Sequence, residues 1–143
     1  MNHVTELPEQ GLGAHYALGL TAGDHSARHL RRILRAHLAA WEMLDLVDAA
    51  CLALTELIAN VVRHVPGGRC AVRVVRTPAG VRVEVGDGHP GIPVVATTGR
   101  DEPAEDGRGL LIVSTVTARW GVTPNPPPVP GKVIWFECDA GRV

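Results

Sequence analysis

Three short groups of residues have types and spacings that could do chemistry. Glu56, Asn60 and His64 stand four residues apart. On a helix they form one polar stripe, because about 100° per residue brings every fourth side chain back to nearly the same face. Leu52, Leu54, Leu57, Ile58, Val61 and Val62 surround them, and polar groups in so apolar a helix need partners wherever they are buried. The second group is Val85-Gly86-Asp87-Gly88-His89-Pro90-Gly91. Here an apolar run ends in an aspartate and a glycine-rich turn. The carboxylate can accept a hydrogen bond from an exocyclic amine, and the glycines let a ligand approach the backbone. The third group, Gly107-Arg108-Gly109-Leu110, opens a helix. Unpaired backbone N–H groups at a helix N-terminus attract anions, glycines give a phosphate access, and Arg108 adds positive charge. Each group has a plainer reading by itself: a solvated face, an ordinary Asp-Gly turn, a hinge. Their order and spacing together say more than any one of them.

The elements that must position these groups follow from the hydrophobic periods. Ala14 to Leu20 reads as a first, edge-like strand, and Thr21-Ala22-Gly23-Asp24 as a turn with Asp24 the expected N-cap. Ala27, Leu30, Ile33, Leu34, Leu38 and Trp41 then recur at helical spacing. A second helix is expected from about Asp45 to Val65, with Val47, Cys51, Leu54, Ile58, Val61 and Val65 as its core stripe and Pro66-Gly67-Gly68 as its stop. The period next changes to two. Cys70, Val72 and Val74, then Val81, Val83 and Val85 after Thr77-Pro78-Ala79-Gly80, predict a β-hairpin. Residues 86–108 have no period, and a loop this long in a compact domain is usually functional or disordered. Leu110 to Val116 begins a third helix, Arg119 to Val122 reads as a short strand, and Lys132 to Asp139 as the last one. The order predicts an α/β two-layer sandwich with helices on one face of a mixed, largely antiparallel sheet. Residues 1–12 read as a flexible tail and residues 13–143 as one domain.

Composition narrows the partners. Of 143 residues 45% are hydrophobic but only 3% aromatic, so the core must be built from Leu, Val, Ile and Ala. A net charge of -1 argues against a nucleic-acid partner, and Arg28, Arg31, Arg32 and Arg35 read as a solvated helix face. Cys51, Cys70 and Cys138 are far apart, lack a CxxC pair and sit among apolar residues, so buried reduced thiols are expected. No apolar run reaches membrane-spanning length, and Met1 to Leu12 does not resemble a signal peptide, so a cytoplasmic protein off the membrane is expected. There is neither a GxxxxGK[ST] loop nor a GxGxxG after a strand. His25 and His29 share a helix face, but no third ligand follows His37 at a suitable spacing for a metal module.

Together the three groups resemble the N, G1 and G2 boxes of the GHKL superfamily, whose nucleotide site is the Bergerat fold. The segment from Glu56-Leu57-Ile58-Ala59-Asn60 to His64 is similar to the ELxxNAxxH form of the small anti-sigma-factor serine/threonine kinases and their actinobacterial relatives. The resemblance covers residues 24–139 and includes Gly107 to Val113, Arg119-Trp120-Gly121-Val122 and Gly131-Lys132-Val133-Ile134-Trp135-Phe136-Glu137. Two positions depart from the pattern. His89 stands at the first glycine of DxGxG, two places after Asp87, with Gly88 one place early, and Val133 stands where a threonine follows Gly-Lys, so one hydroxyl contact near the adenine is expected to be lost.

The resemblance implies ATP and Mg²⁺ as ligands. It makes Asn60 the metal ligand, Glu56 the general base, Asp87 the reader of the adenine amino group, and Gly91 part of the base pocket. It gives the phosphates to Gly107, Arg108, Gly109 and Leu110, makes His64 a ligand contact, and makes residues 94–106 a lid. It further implies a kinase that binds a sigma factor and phosphorylates an anti-anti-sigma partner, with self-association around Ala14 to Trp41. The alternative is a catalytically inactive nucleotide-binding module that acts by sequestering a protein. A sensor histidine kinase is not expected, because nothing resembles a phosphoacceptor helix pair.

Overall fold

The computed structural model describes residues 5–6, 15–91 and 105–141. Six strands form one sheet: β1 (Thr5–Glu6), β2 (His15–Thr21), β3 (Arg69–Arg76), β4 (Gly80–Asp87), β5 (Arg119–Pro124) and β6 (Lys132–Asp139), in the order β1-β2-β3-β4-β6-β5. Among the described residues three α-helices, α1 (Ser26–Ala40), α2 (Val47–His64) and α3 (Glu105–Val116), accompany the sheet, with α2 packed against α1, α3, β4 and β6. The result is the expected α/β sandwich. The sheet is not mixed, however: every adjacent pair is antiparallel. Two helices between β2 and β3 return the chain to the end of the sheet it left, and β6 inserts between β4 and β5, which run the same way.

Alternation along the strands makes the two faces unlike each other. Leu18 and Leu20, Val72 and Val74, Val81, Val83 and Val85, and Ile134 and Phe136 are buried in the core with Leu34 and Leu38 of α1, Leu54, Leu57, Ile58 and Val61 of α2, and Leu110 and Val113 of α3. Each such side chain stabilises the fold by about 1.5–3 kcal/mol relative to exposure. The opposite face carries a chain of ion pairs, from Arg73 through Glu84, Arg82, Glu137 and Arg119 to Asp139. The Arg82 guanidinium also lies 4.2 Å from the centroid of the Trp135 ring. The hydrogen bond from Arg119 holds the Glu137 carboxyl below its ordinary range, against the opposing effect of partial burial. The three cysteines are buried free thiols.

Local starts and stops differ from the sequence expectation in instructive ways. The residue before α1 is His25, not Asp24, and it makes no side-chain cap. Asp24 is exposed, and the buried Ser26 hydroxyl instead accepts the Gly23 N–H at 2.8 Å. A 3₁₀ turn, Leu44–Leu46, precedes α2, and Pro66–Gly68 stops it, with Gly67 at φ 81°. α3 already begins at Glu105, so Gly107-Arg108-Gly109-Leu110 lies inside the helix rather than opening it. The segment expected to act as a lid is outside the described residues up to position 104, and its last two residues belong to α3. Within the expected tail, Thr5–Glu6 pairs with β2. Among the described residues no helix is long and apolar enough to cross a membrane.

Candidate functional site

The chain order brings the candidate residues to one end of the molecule. α2 runs into β3 through a single short turn, so its C-terminal half lies at the end of the sheet where β3 starts. Cys70, at that start, faces Asp87 at the end of β4, and Asp87 faces Lys132 at the start of β6. α3 leads to β5, whose first residue pairs with Glu137 at the far end, so the glycine-bearing N-terminal turns of α3 lie at the Asp87 end.

On α2 the polar stripe is graded in burial. Asn60 is buried at 7% exposure, whereas Glu56 and His64 are half-buried. The stripe is therefore not a solvated face. Among the described residues the Asn60 amide makes no hydrogen bond, which leaves its oxygen available to a ligand. α3 meets the stripe at Gly109. A Cβ added there would stand 3.0 Å from Glu56 Oε1, so glycine is what allows this close approach. Next to it, Leu110 anchors α3 in the core and Arg108 is exposed.

Asp87 is the most enclosed charged side chain of the site, at 1% exposure. Its Oδ1 accepts the backbone N–H of His89 at 2.8 Å and the Lys132 ammonium at 3.0 Å, and Lys132 also donates to the His89 carbonyl at 3.2 Å. Asp87 Oδ2 is buried and has no partner among the described residues. An oxygen so placed is costly to leave unsatisfied, at about 1–3 kcal/mol or more for a charged group, and it marks where a donor is expected. Gly131, at φ 107°, lets the proline-rich connection close onto this turn, because any Cβ there would collide with the Asp87 carbonyl and the Gly88 Cα. An open cleft of about 540 Å³ is bordered by Cys70, Gly86, Asp87, Gly88, Asn125 and Lys132, among others, but not by Glu56, Asn60 or Gly109.

The two positions that depart from the family pattern take these places. His89 contributes to the turn through its backbone N–H and carbonyl, which glycine would supply equally, so the Asp87 contacts do not depend on the histidine ring. Its ring instead lies near the exposed Gly91, 3.1 Å from where a Cβ would be. Alternation puts Lys132 and Ile134 on the helix-facing side, while Val133 touches Gly86 on the other face. The residue that reasoning from sequence passed over is Lys132. Its signal was the period of β6, which sets a lysine in phase with the core positions Ile134 and Phe136.

His25 and His29 are exposed, and the described residues contain no cluster of three His, Cys, Asp or Glu side chains able to hold a metal. A family model described as the histidine kinase-like ATPase domain matches residues 20–136, most of the chain. No curated protein matches it.

Proposed function

The chain belongs to the histidine kinase-like ATPase family, and from that premise we propose that it binds ATP with Mg²⁺ between α2, α3 and the Asp87 end of the sheet, and acts as a serine/threonine kinase of the anti-sigma type. The observation that carries the nucleotide reading is the buried, unpartnered Asp87 Oδ2. The adenine amino group is a donor of the kind it lacks. Asn60, buried and without a hydrogen bond among the described residues, suits Mg²⁺, which prefers oxygen ligands shared with substrate phosphates. When bound, the ion supplies neutralisation of phosphate charge. The early turns of α3, with Gly107, Gly109 and the exposed Arg108, offer the phosphates close backbone approach and positive charge.

Glu56 is half-buried beside Gly109, which suits a base that must reach both solvent and phosphate. It accepts the proton of a partner's serine hydroxyl as that oxygen bonds the terminal phosphorus and ADP departs. The partners are a sigma factor, which the chain holds, and a small anti-anti-sigma protein, which it phosphorylates. The test is transfer of labelled terminal phosphate from ATP to such a co-encoded protein. Transfer that falls by about 10²–10⁴ in Glu56→Gln supports the reading. No transfer, or transfer indifferent to Glu56, contradicts it.

A second reading is a regulator that binds nucleotide without catalysis and acts by sequestration. It is favoured by the pairing of Asp87 Oδ1, which Lys132 and His89 already satisfy without a ligand. It predicts partner binding that survives Glu56→Gln, with no phosphotransfer.

A further inference from the structure

Lys132 and Asp87 lie directly opposite each other on β6 and β4. Their side chains are 6% and 1% exposed. Strand backbones therefore fix both ends of the pair, and neither side chain has room to search for other partners. The ammonium has three N–H groups. One goes to Asp87 Oδ1 at 3.0 Å and one to the His89 carbonyl at 3.2 Å, which leaves the third without an acceptor among the described residues. Asp87 has one oxygen left, Oδ2, and it is buried without a donor. A spare acceptor and a spare donor thus belong to two linked groups, and both residues border the same open cleft.

That combination has a definite complement. The Watson–Crick edge of adenine carries an amino donor at N6 next to an acceptor at N1. Guanine and hypoxanthine reverse the order, with an oxygen at position 6 and an N–H at position 1. We propose that Lys132 is a specificity-determining residue of the nucleotide site: it holds the Asp87 carboxylate by one oxygen, leaves the other for the N6 amino group, and donates its remaining N–H to N1. The inference rests on the nucleotide reading given above and adds to it a named donor for the ring nitrogen. A 6-oxo purine would place its oxygen against Oδ2 and its N1–H against an ammonium, so both contacts would be lost together.

The discriminating probe is 1-deaza-ATP, in which N1 is replaced by a C–H group while N6 remains. Calorimetric titration of the wild-type chain with ATP, 1-deaza-ATP and ITP, each with Mg²⁺, needs no variant that could fail to fold. The expected result is that 1-deaza-ATP binds about tenfold more weakly than ATP, as for loss of one hydrogen bond to a charged donor, with ITP weaker still. In Lys132→Met, shown to be folded by its circular dichroism, ATP should weaken by a similar factor and the preference for ATP over 1-deaza-ATP should vanish. Equal binding of ATP and 1-deaza-ATP by the wild-type chain would overturn the inference and leave the nucleotide reading standing. So would a preference that persists in Lys132→Met, or tighter ATP binding by that variant. Absence of binding by any of the three nucleotides would sink the nucleotide reading itself, and the inference with it.

Discussion

A lysine with 5% of its surface exposed must be held by an anion, since an unpaired buried ammonium is very costly. Lys132 meets that demand with Asp87, and the two partners are legible in the sequence at different depths. Asp87 was readable as the polar end of an apolar strand. Lys132 is less plain, because a lysine is ordinarily a surface residue, although the alternation Lys132, Ile134, Phe136 puts it in phase with the core. The cysteines were readable from their apolar surroundings, and their chemistry follows from burial. Desolvation pushes Cys70 and Cys138 up from an ordinary 9.0 to about 11. Below the ordinary value, native and unfolded chains both keep these thiols protonated. Between the two values the unfolded chain releases protons that the native chain retains, so stability falls as pH rises through that window. Urea midpoints at about pH 8 and about pH 10 should show the drop, and a Cys70→Ala/Cys138→Ala double variant should show a smaller one. An identical drop in both proteins would mean that the thiols contribute nothing to it.

At the scale of elements, periodicity located α1, α2 and the β3–β4 hairpin, because each has one buried face, whereas α3 is legible from an apolar run and β5 and β6 from their β-forming residues. What it could not give were the ends. The start of α1 is decided by the Ser26 hydroxyl and Gly23 N–H, an exchange invisible to hydrophobic pattern. The start of α3 at Glu105 was missed because glycines discourage a helix, each by about 1 kcal/mol relative to alanine. Gly109 keeps its place in α3 through the closeness of Glu56, and this gives a prediction with opposite signs. Gly109→Ala should leave thermal stability unchanged or raise it by up to about 1 kcal/mol of helix propensity, while pushing Glu56 Oε1 from its place and lowering phosphotransfer. Melting temperature and transfer rate measured on the same preparation check it. A variant as active as the wild type would show that Glu56 need not sit where the structure has it.

For the whole molecule, the layer arrangement explains why the site lies where it does. Two helices between β2 and β3, and one between β4 and β5, return the ends of β2 and β4 and the starts of β3, β6 and α3 to one end of the sandwich. The opposite face of the sheet carries its ion-pair chain and Trp135. The sandwich was legible because period-two and helical segments alternate cleanly. The strict antiparallel order was not, because the insertion of β6 between β4 and β5 leaves no trace in either strand's own pattern.

ATP binding at this end of the sandwich should involve α2 and the sheet together. The most direct measurement is calorimetric titration of ATP into the wild-type chain with and without Mg²⁺, beside Asn60→Ala. Binding on the order of micromolar, about -8 kcal/mol, is expected, and it should weaken at least about tenfold when Mg²⁺ is removed or Asn60 is truncated. Asn60→Ala should keep the wild-type circular dichroism, since its amide holds no other described residue in place. Wild-type binding indifferent to both changes, or no binding at all, would contradict the nucleotide reading.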